Sequence, residues 1–380
     1  MSRKNILILT PFFRPNVGGV ETHLDDLWRY LTDRNYKVFV ITYQPLTTKA
    51  RGLRLEKKKN LQIRRISWFG HNLFHKIEAY PLADFFYLTT GLFFYTFFFL
   101  LHRKNKIEVI HAHGLACGFI AKVMSKIYRK RSVISTHAIY HLDKRPTLAG
   151  IIKWILSSTD RILALSKPSK RELIEIGLPE SKIGLYTYWI NQEIFKPHNR
   201  ERCRKVVGWQ NKFIVLFVGR LIEKKGIKLL IEVARKTRKK IHFAFIGEGP
   251  LGSELESTSQ EMDNVIYVGS VVNEKLNLYY NASDLVIIPS QYEEGFGRVI
   301  LEALSCGVPV IGSNKGGIPE ALDSSVGLLI EPLTPEIREK IEFLFDNPQE
   351  LKRLKDNCRK YALNRFSAKN AKIIEESYYS

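Results

Sequence analysis

The feature that most constrains the fold is a repeated alternation between short, unbroken apolar runs and longer stretches with helical spacing. Residues 5–10 form an apolar run that ends in a Pro/Gly-rich loop, and residues 20–35 follow with apolar side chains three and four positions apart. Strands that show little polar alternation and are separated by helices are typical of a parallel sheet covered on both faces. The pattern therefore predicts an α/β chain.

The alternation breaks off near residues 195–198 and then restarts, which predicts two domains. Further strands are predicted at residues 38–42, 61–66, 109–110, 132–135 and 161–164, and then at 213–218, 242–246, 265–268, 285–288 and 308–312. A chain of 380 residues is long enough to bury a separate core in each half. We expect two doubly wound Rossmann-like domains, at residues 1–198 and 199–364, facing an interdomain cleft. Ligands of such sheets bind at the carboxyl ends of the strands.

The net charge is concentrated in the first half. The chain has 59 Lys and Arg against 38 Asp and Glu, a net of +21, and residues 1–198 hold 32 basic and 14 acidic residues, so 32 − 14 = +18 of it. A surplus of this size indicates an anionic partner, whether nucleic acid, a membrane surface or an acidic substrate. We therefore expect the first domain to meet that partner.

Two features bear on where the protein works. The apolar run that follows Asn5 is too short for the core of a signal peptide. The widely spaced cysteines form no C-x-x-C pair, and they are Cys117, Cys203, Cys306 and Cys358. This argues against a disulfide scaffold or a structural zinc site and favours a reducing cytosol. We expect a cytoplasmic protein without a signal peptide.

Residues 85–101 (FFYLTTGLFFYTFFFLL) contain no charge across 17 positions. A helix needs about 20 predominantly apolar residues to cross a bilayer, and a crossing here would place two halves of one domain on opposite sides. A helix buried between a sheet and its neighbours is apolar on all sides. The number of aromatic residues also suits a helix that dips into the membrane interface. The sequence leaves burial and interfacial insertion open.

Two glycine pairs follow predicted strands. Gly18 and Gly19 stand between the first strand and its helix, where helix N–H groups attract phosphate. Gly247 and Gly249 follow the strand at residues 242–246, in a tight turn that would also let a nucleotide base approach. The first pair lacks the G-x-G-x-x-G spacing, and an ordinary turn explains it equally well.

A basic cluster follows the first strand of the second domain. Gly219 and Arg220 come directly after residues 213–218, and Lys225 lies five positions after Arg220, before the next helix. Fixed cations at that position suit a diphosphate and would neutralise its charge as it leaves, without a metal. A solvated basic turn is the ordinary alternative.

The segment of residues 289–302 (PSQYEEGFGRVILE) is the most informative. Glu294 lies in a loop beside Gly295 and Gly297, and Glu302 lies eight positions later, in a helix predicted at residues 297–305. Backbone N–H groups of the loop would face a phosphate or a sugar, and the Glu302 carboxylate can accept hydrogen bonds from ribose hydroxyls. The strand end and the two glycines favour this interpretation over ordinary surface charge.

This segment resembles the EX7E signature of retaining GT-B glycosyltransferases, especially those of glycosyltransferase family 4 (group 1). V-G-R-L-x-x-x-K-G, G-E-G-P-L, the early G-G-V-E and the late G-G-I-P-E are similar to that family's motifs and come in its order, so the resemblance covers nearly the whole chain. It implies a GT-B fold, a nucleotide-diphospho-sugar donor held mainly by the second domain and an acceptor held mainly by the first. It also implies that a last helix, within residues 365–380, packs back on the first domain.

The resemblance assigns roles to individual residues. Arg220 and Lys225 would bind the donor diphosphate, Glu294 would contact sugar hydroxyls, and Glu302 would hold the ribose. His137 matches the family's first-domain histidine near the transferred sugar, and with Arg220, Lys225 and Glu294 it makes up the predicted catalytic set. The other predicted donor contacts are Gly18, Gly19, Gly219, Gly247, Gly249, Gly295, Phe296 and Gly297.

The chain departs from the family at two points. Tyr188-Trp189-Ile190-Asn191 stands where the family often has P-N-G-V-D, and Ala138 rather than Asp follows His137.

The implied reaction is metal-independent transfer with retention of configuration. The sequence has no D-x-D motif and no carboxylate placed as a nucleophile, so the departing diphosphate is expected to take the acceptor's proton. We expect no cofactor and no metal. A hexose-type sugar would pass to a lipid-linked or glycan acceptor, in cell-surface glycan or glycolipid biosynthesis.

The basic first domain then predicts peripheral attachment to the cytoplasmic face of an anionic membrane. Residues 85–101 and the basic stretch 122–131 (KVMSKIYRKR) would make that contact. Two other functions stay open. A nicotinamide oxidoreductase would need G-x-G-x-x-G after the first strand, which residues 11–19 lack. A nucleic-acid binder would need a recognised module, and we expect no nucleic-acid partner.

Overall fold

The structure is a computed structural model that describes residues 4–16, 18–48, 50–69, 71–77, 80–103, 106–237 and 239–379. The chain divides into two compact units, and these are Met1–Tyr188 with Ala368–Ser380, and Trp189–Ser367. Each unit contains one sheet, and helices alternate with most of its strands. The predicted α/β class is confirmed.

The first unit is built on an eight-stranded sheet in the order β3-β4-β2-β1-β5-β6-β7-β8. Its strands are β1 Asn5–Leu9, β2 Lys37–Tyr43, β3 Leu55–Lys58, β4 Leu61–Ile66, β5 Val109–His113, β6 Arg131–Ser135, β7 Arg161–Ala164 and β8 Ile183–Leu185. Its α-helices before β8 are α1 Gly19–Asp33, α2 His71–Ile77, α3 Pro81–Arg103, α4 Gly114–Tyr128, α5 Pro146–Leu156 and α6 Lys167–Glu175. Neighbouring strands are parallel except β3 and β4. The central strand β5 is buried throughout, as a sheet covered on both faces requires.

The second unit has a six-stranded parallel sheet in the order β11-β10-β9-β12-β13-β14. Its strands are β9 Phe213–Val218, β10 Ile241–Ile246, β11 Val265–Gly269, β12 Leu285–Ile288, β13 Val310–Ser313 and β14 Gly327–Ile330. Its helices are α7 Arg200–Val207, α8 Ile227–Lys236, α9 Gly252–Glu261, α10 Leu276–Ala282, α11 Arg298–Ser305, α12 Ile318–Ala321, α13 Thr334–Asp346 and α14 Pro348–Arg365. Strands β9 and β12 lie side by side at the centre of this sheet, at the point where the strand order reverses.

Three short strands, β3, β8 and β14, were not predicted from the sequence. Strand β3 lies at the edge of its sheet and is largely exposed, with two lysines among its four residues. An exposed edge strand needs no apolar run, so it gives no signal in the hydrophobic pattern.

The second unit begins at Trp189, earlier than the predicted start at residue 199. Residues 189–198 pack on the rest of the second unit. The Ile190 N–H donates to the Phe366 carbonyl at 3.3 Å, and the His198 N–H donates to Asn281 Oδ1 at 2.6 Å. These hydrogen bonds set the boundary, whereas the hydrophobic pattern only marks where the next strand begins.

The C-terminal end of the chain belongs to the first unit. Helix α15 (Ala371–Glu376) presents Glu375 to the hydroxyl groups of Tyr30 and Tyr36, which donate to its carboxylate at 2.8 and 2.9 Å. Lys4 Nζ donates to the Tyr378 carbonyl at 2.6 Å. Within residues 365–380, the part that packs on the first unit begins at Ala368, because α14 keeps the preceding residues in the second unit.

Candidate active site

The carboxyl ends of β9 and β12 bring Lys225 and Glu294 together. Lys225 ends a 3₁₀ turn that follows β9, and Glu294 lies in the loop that follows β12. Lys225 Nζ lies 2.8 Å from Glu294 Oε1, and both side chains are largely buried. Neighbouring parallel strands release their loops at the same edge of the sheet, so two residues far apart in the sequence form an ion pair there.

Two further side chains contact this ion pair. The Ser290 hydroxyl donates to Glu294 Oε1, and the centre of the Tyr292 ring lies 5.4 Å from Lys225 Nζ. Burial by itself lowers the pKa of Lys225, but the Glu294 carboxylate and the Tyr292 hydroxyl outweigh it and raise that pKa above its ordinary value. Burial and the charge of Glu294 raise the pKa of Tyr292. At neutral pH the cluster therefore holds a charged lysine beside a neutral tyrosine.

Arg220 lies on the exposed side of the same edge. It follows β9 and is near enough to Tyr292 for its charge to act against the rise in the pKa of that residue. The second unit thus brings together three of the predicted catalytic residues, Arg220, Lys225 and Glu294.

The glycines after β9 and β10 allow two backbone segments to touch. A Cβ atom on Gly247 would lie 1.9 Å from the Gly219 carbonyl oxygen, and one on Gly249 would lie 2.6 Å from the Leu221 carbonyl oxygen. The Leu221 N–H also donates to the Glu248 carbonyl at 2.8 Å. These glycines therefore hold the loop that carries Arg220, and their direct contact with a donor stays a prediction.

The glycine pair Gly316-Gly317 holds the loop that carries Glu294. The Gly317 N–H donates to the Glu294 carbonyl at 2.8 Å, and a Cβ atom on Gly317 would lie 2.0 Å from the Gly295 carbonyl oxygen. Gly297 has a left-handed φ of 75° and precedes helix α11. No described residue accepts a hydrogen bond from the N–H of Gly295 or Gly297, so both donors stay available to an anion at the start of α11.

Phe296 lies in this loop with its side chain buried, so a contact with a donor would come from its backbone. Its ring packs edge-to-face on Phe366, with ring centroids 6.1 Å apart.

Glu302 is buried on α11 and hydrogen-bonded within the protein. Its Oε2 accepts from the Tyr280 hydroxyl at 2.8 Å, and its Oε1 accepts from Arg298 Nε at 3.2 Å and from Asn273 Nδ2 at 3.3 Å. Arg298 also donates to the Trp189 carbonyl at 3.0 Å, which ties α11 to the segment where the chain departs from P-N-G-V-D. The role of Glu302 toward ribose stays a prediction.

His137 lies in the first unit, just after β6. Its Nε2 is 2.9 Å from His113 Nδ1 and its Nδ1 is 3.0 Å from the Tyr188 hydroxyl. Burial lowers the pKa of His137 to about 4, so its imidazole is neutral at pH 7. The neighbouring His111 is fully buried beside the hydroxyl of Tyr378, at 2.9 Å, and burial lowers its pKa to about 3. The catalytic role of His137 stays a prediction.

Gly18 and Gly19 form the start of helix α1. The Thr22 N–H donates to the Gly18 carbonyl at 3.1 Å. A Cβ atom on Gly18 would lie 2.4 Å from Glu21 Oε2, so a carboxylate already lies at this helix start. Contact of this turn with a diphosphate stays a prediction.

Several side chains at these positions were not identified from the sequence. Ser290 and Tyr292 stand within the EX7E segment, so the sequence contained a signal for them. Tyr280 and Asn273 belong to no motif and reach Glu302 only because α10 and the turn before it pack beside α11. Within the described ranges, no group of three His, Cys, Asp or Glu side chains is arranged to hold a metal ion.

Two family models match the chain, one in each half. The model described as "Glycosyl transferases group 1" matches residues 199–361. The model described as "Glycosyltransferase Family 4" matches residues 17–185. Both describe glycosyltransferases, which decides against the oxidoreductase alternative.

Curated relatives agree with this assignment. The chain is 25% identical over 341 residues to the GPI3 subunit of phosphatidylinositol N-acetylglucosaminyltransferase from Saccharomyces cerevisiae, covering 86% of this chain and 72% of that protein. It is 27% identical over 298 residues to alpha-D-kanosaminyltransferase from Streptomyces kanamyceticus, covering 70% of this chain and 77% of that protein.

A solved structure shows the same fold. The crystal structure of Anabaena HepE in complex with UDP superposes with a TM-score of 0.79 at 20% identity, over 98% of this chain and 99% of that chain. The expected GT-B fold is thereby confirmed. With both family models and the fold in agreement, the chain belongs to the glycosyltransferases of the group 1 and family 4 type.

Proposed function

We propose that this glycosyltransferase moves a hexose-type sugar from a nucleotide-diphospho-sugar with retention of configuration and without a metal. The observation that carries the proposal is the Lys225–Glu294 pair at the edge of β9 and β12, with Arg220 beside it. Two cations suited to a diphosphate and a carboxylate suited to sugar hydroxyls lie in one cluster of loops.

The second unit offers a group for each part of such a donor. Arg220 and Lys225 would bind the diphosphate, aided by the N–H groups of Gly295 and Gly297, while Glu294 would bind sugar hydroxyls and Glu302 the ribose. HepE has been solved with UDP and with UDP-glucose, so uridine donors are the first to test.

The proposed step balances bonds and protons without a protein nucleophile. The bond between the anomeric carbon and the diphosphate oxygen breaks, and the acceptor oxygen bonds to the same face of that carbon. The acceptor proton passes to the departing phosphate oxygen. Lys225 and Arg220 stabilise the negative charge that grows on that oxygen, and the raised pKa of Lys225 keeps its ammonium charged for this purpose.

The ion pair also explains how the site holds a buried lysine before the donor arrives. Without donor, Glu294 neutralises Lys225 at 2.8 Å. A diphosphate brings its own negative charge to the lysine, which frees Glu294 to accept hydrogen bonds from the sugar. Donor binding therefore exchanges one ionic partner of Lys225 for another instead of burying an unpaired charge.

The proposed acceptor is a hydroxyl of a lipid-linked saccharide or glycan at the cytoplasmic face of the cell membrane, bound by the first unit. Such a reaction belongs to cell-surface glycan or glycolipid biosynthesis. Two observations support this: the yeast relative is named for phosphatidylinositol, a lipid, and residues 1–198 carry 32 − 14 = +18 of the net charge.

A panel of UDP-, GDP- and ADP-sugars tests the function. We expect slow hydrolysis of one donor, faster turnover with an acceptor, and a product with the donor's anomeric configuration by NMR. Glu294→Gln should abolish most of this turnover, whereas Glu293→Gln, its half-buried neighbour, should not. Inverted product, or equal turnover by both variants, would contradict the proposal.

A further inference from the structure

Helix α3 carries an apolar ridge on its solvent side. Leu82, Phe86, Phe94 and Phe98 are spaced four or eight residues apart, Leu101 ends the row, and these side chains are 51–70% exposed. At a rise of about 1.5 Å per residue the ridge is about 28 Å long. The solvent side of a helix in a globular protein normally carries polar and charged residues, and this row carries no charge.

The opposite side of α3 belongs to the core of the first unit. Leu92 and Leu100 are fully buried there, with Leu88 and Phe99 beside them. Leu82–Arg103 is long and apolar enough to cross a membrane, but 44% of its most apolar window is buried within the chain. Helix α3 is therefore neither enclosed on all sides nor separate from the domain.

Helices α4 and α5 lie next to α3. The Phe119 ring of α4 contacts Phe85 and Phe93 of α3 at centroid distances of 5.9 and 6.2 Å, and Trp154 of α5 at 6.0 Å. One aromatic side chain thus joins the three helices into a continuous layer.

This layer exposes further apolar side chains. Ile127 at the end of α4 and Ile151 and Trp154 on α5 are 41–55% exposed. Lys122 Nζ lies 3.7 Å from the centre of the Trp154 ring and donates to the Trp154 carbonyl. The α3–α5 face, as we name it, consists of Leu82, Phe86, Phe94, Phe98, Leu101, Ile127, Ile151 and Trp154.

Positive charge borders the α3–α5 face. Lys126 and Arg129 lie beside Ile127 at the end of α4, both are exposed, and neither forms an ion pair with another described residue. Residues 85–156 contain 11 Lys and Arg and 2 Asp and Glu, a net of 11 − 2 = +9. The combination of exposed aromatics and unpaired cations is typical of surfaces that bind a lipid interface.

We propose that the α3–α5 face docks onto an anionic lipid bilayer, with α3 lying in the plane of the interface. The aromatic side chains enter the boundary between headgroups and acyl chains, and the bordering cations meet lipid phosphates. A second copy of this chain fits the same face less well, because two such positive surfaces repel each other. The proposal rests on the membrane location given under Proposed function, but lipid binding requires neither donor nor sugar transfer.

Donor-free sedimentation with vesicles tests the docking surface. The full chain should bind phosphatidylcholine vesicles that contain phosphatidylserine and not vesicles of phosphatidylcholine alone. Phe94→Ser with Phe98→Ser should weaken binding roughly tenfold or more, and Lys126→Glu with Arg129→Glu should weaken it by roughly 5-fold per charge removed, or more. Matched controls lie in the second unit: Val206→Ser with Val272→Ser, and Lys352→Glu with Lys360→Glu, should bind like wild type.

Trp154 supplies a second readout. Brominated lipids should quench its fluorescence in the bound state, and Trp154→Phe should remove most of that quenching while vesicles still bind. Circular dichroism and the melting temperature establish that each variant is folded. The proposal would be overturned if wild type did not bind the vesicles, or if the variant with Phe94→Ser and Phe98→Ser bound them as well as wild type does. It would also be overturned if wild type formed dimers and this double variant did not. If the protein binds vesicles but transfers no sugar, the result counts against the proposed function and not against the docking surface. If it transfers sugar to a soluble acceptor but binds no vesicles, the result counts against the docking surface and not against the proposed function.

Discussion

Replacing Lys225 by alanine removes one partner of a buried ion pair and one cation of the proposed diphosphate site. Charges 2.8 Å apart attract by about 6 kcal/mol at an effective dielectric constant of about 20, and desolvation offsets part of that energy. Removing one partner leaves Glu294 buried with the Ser290 hydroxyl, which should lower the free energy of unfolding by about 3 kcal/mol.

Lys225→Ala should also lower transfer under conditions where the variant is fully folded. Loss of a preorganised group at a developing negative charge lowers turnover on the order of 100-fold or more. Turnover should be measured at a temperature where circular dichroism shows the variant to be folded. Lys224→Ala is the matched control, because Lys224 is the exposed neighbour in the same turn.

A double substitution separates the two roles of Lys225. Lys225→Ala combined with Glu294→Gln should recover part of the lost stability, because no buried charge is then unpaired, but it should recover no turnover. The reasoning would be refuted if folded Lys225→Ala transferred sugar about as fast as Lys224→Ala. It would also be refuted if the double variant regained activity along with stability.

Three further predictions concern the loops, the histidines and the metal. Gly247→Ala should destabilise the second unit by roughly 3 kcal/mol or more, because its Cβ would lie 1.9 Å from the Gly219 carbonyl oxygen. Gly150→Ala is the control without such a clash, because a Cβ there meets no atom within 4 Å. Urea titrations of both variants measure the two free energies of unfolding. Burial lowers the pKa of His111 to about 3 and that of His137 to about 4, so each takes up a proton on unfolding below about pH 6.5. Their contribution to stability is present above that pH and is lost as pH falls toward each folded pKa, by up to about 1.4 kcal/mol per pH unit and group. When the free energy of unfolding is measured at several pH values, its fall toward acidic pH should be shallower for His111→Gln than for wild type. An unchanged slope would count against a lowered pKa for His111. Transfer in excess chelator should match the untreated rate, and full loss restored by a divalent cation would disprove metal independence.

The hydrophobic pattern was a good guide to the strands and a poor guide to the boundaries. Strands such as β9 and β12 are short, apolar and bounded by glycine or proline, so their position could be predicted from the residues alone. The start of the second unit at Trp189 could not, because it depends on hydrogen bonds to Phe366 and Asn281, which lie far along the chain.

The sequence by itself determined the α/β class, the enzyme family and the loops that carry Arg220, Lys225 and Glu294, because strand periodicity and motif spacing are local properties of the chain. Only the tertiary structure decided which side chains meet. It paired Lys225 with Glu294 through adjacent strands, surrounded Glu302 with Tyr280, Arg298 and Asn273 through the packing of α10 on α11, and left one side of α3 exposed. A run such as residues 85–101 looks the same in sequence whether one face or both are covered, and the neighbours that decide its burial come from elsewhere in the chain.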